Sequence, residues 1–241
     1  MDVVNKLKKE YEIAKEGINL PDGERVKRYM DFVKMLLADE SNEVINYHYD
    51  LLKDRENKKL YHNIRASFKR RPQAEEFLLK KSKTETDPTT LGDILHLLGG
   101  LRSADAIILA RQFVKSNDDY QREVALYVIG WTGEESDIDI LNANLISESS
   151  SHLRITAASA HRQIYYRLPD LKNKLLMSLK NGFEKEADEK VVVWIIIMIG
   201  TISGKRLGLR EDKEDSYIIH GDVQKAKTKT LKFLNELDFD K

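Results

Sequence analysis

An internal register, more than any other feature, limits what this 241-residue chain can fold into. In QREVALYVIG, Arg122 is followed by Ala125 at three residues, Ile129 at seven and Gly130 at eight. Arg154, 32 residues later, opens the same register with Ala157, His161 and Arg162. Counting back 31 from Arg122 gives Leu91, Ile94, Leu98 and Gly99, and counting forward 38 from Arg154 gives Val192, Ile195, Ile199 and Gly200. A helix turns by about 100° per residue, so the positions at minus one, three and seven fall within about 80° of one another. Each segment therefore carries one apolar stripe. The small residue at three admits a neighbouring helix, and a glycine at eight reads as easing the helix exit. Another amphipathic segment lies between successive copies, such as Ser103–Lys115 with Ala106, Ala110 and Val114. A helix pair of this kind hides its apolar face only by stacking on its neighbours.

The remaining chain fits the same class. With four prolines and twelve glycines, it offers long stretches of three- and four-residue apolar spacing and little alternation, which predicts thirteen helices from 3–17 to 223–237. The run KVVVWIIIMIGTISG, residues 190–204, holds about a dozen nearly continuous apolar positions. Spanning a bilayer takes about 20, so the run reads as the inner helix of the last full unit, covered on its second face by Val223–Leu237. That terminal helix shows Val223, Ala226, Leu231, Leu234 and Leu237 as its apolar row. Residues 205–221 read either as a long surface connection, with the charge run LREDKED and an apolar plug at Tyr217-Ile218-Ile219, or as a binding loop.

The two segments QREVALYVIG and LRITAASAHR resemble HEAT repeats, and the likeness covers residues 88–202. The resemblance implies an all-α fold, a right-handed α–α superhelix of about five to six HEAT-like helix pairs. Residues 1–86 then form less regular N-terminal helices, 87–204 the clear repeats, and 205–241 a long loop with a capping helix. Arg162 stands where the pattern has glycine and His161 where it has leucine, which makes that unit the least regular.

Composition narrows the function. Forty basic and forty acidic residues cancel, so no global field selects nucleic acid or an anionic membrane. Without cysteine there is no disulfide framework, thiolate metal site or cysteine nucleophile. The first 18 residues read as a charged amphipathic helix without the apolar core of a signal peptide, so a cytoplasmic protein is expected. The six histidines form no i,i+3 or i,i+4 pair on one face, and GxSxG, P-loop and GxGxxG motifs are absent. These features predict a non-enzyme with no cofactor and no metal. His161 reads as a buried, hydrogen-bonded core residue.

The surface of the stack remains as the candidate site. Register positions one, five, eight and twelve point away from the core stripe. The partner-binding candidates there are His96, Glu123, Tyr127, Ile155, Ser159, Arg162 and Tyr166. Such a mixture suits a protein-binding centre, and the expected partner is another protein. Small HEAT-like proteins are similar to bacterial immunity families, which implies an antitoxin that blocks a cognate toxin, with Glu123, Asp137 and the acidic stretch Glu211–Asp215 facing a basic cleft. Two other classes stay open. One is a scaffold with several partners. The other is a HEAT-like DNA-binding protein or alkylpurine DNA glycosylase, for which Lys69-Arg70-Arg71 and Lys80, Lys81 and Lys83 would follow phosphates, although these cations read first as a solvated helix end and neither Trp131 nor Trp194 has a neighbouring aspartate.

Overall fold

The computed structural model describes residues 2–215 and 218–239. It is mostly helical, with one small two-stranded sheet. Helix starts are written in the sequence as side-chain caps: Asp2, Ser41, Asn57, Asp87, Asp118, Asp188 and Asp222 each accept a backbone N–H of the first turn. The chain divides into two units, with the boundary between Asp105 and Ala106.

The first unit contains α1 (Val3–Glu16), α2 (Asp22–Leu37), α3 (Asn42–Asp50), α4 (Lys58–Phe68), α5 (Ala74–Ser82) and α6 (Pro88–Gly100). Helix α1 packs on α2 and α3, α2 on α4, and α6 on α4 and α5. Its core is rich in aromatic residues. Tyr29, Tyr49 and Phe68 are fully buried, and the Tyr11 and Phe32 rings meet at 5.5 Å. Two members of the basic cluster turn inward here. Arg71 is buried, donating to the carbonyls of Leu36 at 2.7 Å and Asp39 at 3.0 Å and to His48 Nδ1 at 2.8 Å. Lys81 lies over the rings of Tyr49 and Phe77. Both cations serve the interior.

The second unit holds the rest of α7 (Ala104–Phe113), then α8 (Asp119–Thr132), α9 (Ile138–Ser147), α10 (Ser151–Arg167), α11 (Lys172–Lys185), α12 (Glu189–Ser203), β1 (Leu209–Glu211), β2 (Ile219–Gly221) and α13 (Val223–Asn235). Helices α8, α10 and α12 pack in sequence, as do α9 and α11, and α9 and α11 also lie against α10 and α12 respectively. Three of the four register segments thus lie side by side, while the one at Leu91 belongs to the first unit. The register's basic residue turns out to be a staple. Arg122 Nε and Nη2 grip Glu148 at 2.9 and 3.3 Å, and Arg154 grips Glu186 at 2.7 and 3.2 Å. Each arginine also donates to a carbonyl six residues upstream, that of Ser116 or Glu148. The glutamates fold back onto the next two backbone amides, Ser149 and Ser150 or Ala187 and Asp188. Glu85 makes the same turn before α6, held there by Tyr49 and Lys53.

Helix α12 buries Val191, Val192, Ile195–Ile199 and Ile202, because α10, α11, β1 and α13 all pack on it. Its cover is therefore shared between the terminal helix and the segment before it. That segment corrects two expectations. Residues 205–221 are not wholly loop: β1 pairs antiparallel with β2, and the chain is not purely α. The apolar plug is Leu207, at 3% exposure, whereas Ile218 is half exposed and Tyr217 lies outside the described residues. Three-residue strands made of LRE and IHG carry too few apolar side chains to signal themselves. In α13, Ala226, Thr230 and Leu234 face inward and Leu231 faces solvent, since 3.6 residues per turn favours 226-230-234 over 231. Among the described residues no helix is long and apolar enough to cross a membrane.

Candidate functional site

Six of the seven predicted residues come together on α8 and α10. Along α8, Glu123, Tyr127 and Trp131 recur every four residues and form one half-buried stripe. Tyr127 donates its hydroxyl to Glu123 at 3.2 Å, and its ring stacks on Trp131 with centroids 6.1 Å apart. On α10 the parallel stripe is His152, Ile155, Ser159, Arg162 and Tyr166. His152 Nε2 meets Glu123 Oε1 at 2.8 Å and so ties the two helices together. Ile155, Ser159 and Arg162 are half-buried, and Tyr166 is 62% exposed. At the far end Arg162 Nη1 donates to both carboxylate oxygens of Glu211 at 3.1 and 3.0 Å, which fixes β1 to α10. The register carries this strip towards α12, but there Ile197 is only 6% exposed and Gly200 sits under the Lys205 carbonyl.

His96 is placed in the first unit, one turn after Asp93 on α6. Asp93 is fully buried and ion-paired to Arg55 at 2.8 Å and Arg65 at 3.0 Å, and it accepts the Tyr61 hydroxyl. The Tyr61 ring lies between the two guanidinium groups, at 5.5 and 5.4 Å. Burial first, then the charges of Arg65 and Lys69, push the His96 imidazole down to about 4, so it is neutral at physiological pH. Sequence reasoning passed over Asp93. The available signal was one carboxylate inside LGDILHLL, since a buried aspartate requires cationic partners.

Several of the carboxylates proposed to face a toxin are committed elsewhere. Asp137 is buried and pairs with Arg111 at 2.7 Å, because it also caps the short turn at Glu134. Glu211 holds Arg162. Asp212 accepts the Glu214 amide and meets His220 at 2.8 Å, contacts that hold its carboxyl down to about 2. Among the described residues no group of three His, Asp or Glu side chains has metal-binding geometry. His161 is fully buried between the Ala157 carbonyl at 2.8 Å and Ser178 Oγ at 2.7 Å, as expected of a core histidine.

No protein-family model, curated protein or solved structure matches this chain. The functional reading therefore rests on the geometry of the strip.

Proposed function

We propose that this protein is a non-catalytic, HEAT-like helical-repeat protein that binds another protein through the α8–α10 strip. One observation carries the reading. Half-exposed Tyr127, Trp131, Ile155 and Arg162 and exposed Tyr166 lie along two adjoining helices, and the polar members are already held by Glu123–His152, Tyr127–Glu123 and Arg162–Glu211. Aromatic and arginine side chains carry most of the energy at protein interfaces, and fixing them in advance lowers the ordering cost of association. Tyr166 is the designated anchor, since its large exposed ring gains most from burial. In affinity capture from native cells, one protein should be retained by the unaltered chain and lost with Tyr127→Ala/Tyr166→Ala at unchanged helicity. Equal retention by both forms refutes the reading.

The narrower form, an antitoxin, is carried by the likeness of QREVALYVIG and LRITAASAHR to repeats of that architecture. It requires a neighbouring gene whose product is toxic alone and harmless when this protein is co-expressed. A harmless neighbour removes the antitoxin role and leaves the protein-binding role standing.

A further inference from the structure

The sheet register sets an arginine beside a histidine on one face of the hairpin. Arg210 stands directly opposite His220, while Glu211 and Ile219 form the next pair and point to the other face. Alternation thus sends Glu211 inward to Arg162 and leaves Arg210 outward with His220. Arg206, just upstream, joins them. Arg206, Gly208, Leu209, Arg210, His220 and Gly221 line an open cavity of about 650 Å³.

Two further observations make this more than a chance grouping. Neither Arg206 nor Arg210 has a carboxylate or other polar partner among the described residues, although acids surround them in sequence. Those acids are occupied: Glu211 by Arg162, Asp212 by His220 and the Glu214 amide, Asp222 by the Lys225 side chain and amide. The cavity also depends on two glycines. Gly208 and Gly221 have φ of 103° and 130°, and a Cβ on Gly221 would collide with the Gly208 carbonyl, so side chains are kept out of its base.

We propose that this face of the hairpin binds a phosphate monoester. Two unpaired guanidinium groups supply planar donor forks for the phosphate oxygens, while the side-chain-free Gly208 and Gly221 leave room for the ester group and His220, held by Asp212, borders the cavity. The site stands apart from the protein-binding reading, because neither arginine belongs to the α8–α10 strip. A monoester on a small molecule and one on a phosphorylated peptide share this chemistry.

Titrating the full ¹⁵N-labelled chain with glycerol phosphate, and separately with a phosphoserine peptide, at ionic strength matched with chloride distinguishes them. Saturable shifts of the Gly208, Arg210 and Gly221 amides are expected with at least one ligand. Saturation by glycerol phosphate assigns the site to small phosphates, and saturation by the peptide alone assigns it to a phosphorylated partner. Arg206→Gln/Arg210→Gln should abolish the shifts, and Arg206→Lys/Arg210→Lys, which keeps charge but not the fork, should weaken binding by about tenfold. Both arginines are exposed, and the melting temperature of each variant verifies folding. Absence of saturation with both ligands, equal shifts with chloride, or undiminished binding by the Gln variant overturns the proposal.

Discussion

Gly130 shows what one missing Cβ does in this chain. A Cβ there would lie 3.2 Å from Ala160 Cα and Gln163 Cβ and 3.3 Å from Ala160 Cβ, so the glycine sets how closely α8 and α10 approach. The register reading gave it to the helix exit, yet α8 runs on to Thr132. Periodicity identifies a small residue but not which neighbour needs the space. Gly130→Ala should destabilise the protein by about 1–3 kcal/mol through overpacking, despite alanine's better helix propensity. Urea unfolding measures this, and an unchanged or raised midpoint contradicts the close-approach account. The site residues divide along the same line. Glu123, Tyr127, Ile155, Ser159, Arg162 and Tyr166 were legible because helical angle alone puts them on one face. Two of their partners were not, since His152 and Glu211 meet them only through packing between elements, whereas Trp131 follows Tyr127 by one helical turn.

At the scale of elements, the Arg–Glu staples fix the spacing of successive packed helices. One joins α8 to the turn that starts α10 and the other joins α10 to the turn that starts α12, and all four side chains are at most 14% exposed. Exposed pairs contribute little, whereas these are desolvated and bidentate. A double-mutant cycle on Arg154→Met and Glu186→Gln should give a coupling of about 1–2 kcal/mol that persists at high salt. A coupling near zero would reduce the staples to ordinary surface pairs. The sequence displayed both arginines at one register position but gave no hint of the glutamates, 26 and 32 residues away. The hairpin was hidden for a related reason. Its pairing is fixed by backbone bonds and by glycines with positive φ, and neither leaves an apolar pattern.

For the whole molecule, the buried histidines set the response to acid. His161 is pushed down to about 4 and His48 to about 3, each chiefly by burial, against an ordinary value of 6.5. The fold therefore excludes protons that the unfolded chain binds below about pH 6.5, so stability falls as pH drops through that window and is flat above it. His161 by itself accounts for a loss on the order of 3 kcal/mol by pH 4. Chemical denaturation across pH 4–8 should show this slope, and His161→Asn should reduce it by the His161 share while His48 and His96 keep the remainder; an unaltered slope would mean that His161 does not contribute. What the amino-acid order determined by itself was the helical class, the thirteen α-helices among the described residues and most of the side-chain faces on α8 and α10, because these follow from local periodicity and capping. Only the tertiary structure decided which charges cancel, which glycines are contacts and which cations stay free. Those outcomes depend on groups brought together from distant positions, where burial makes an unpaired charge too costly to leave.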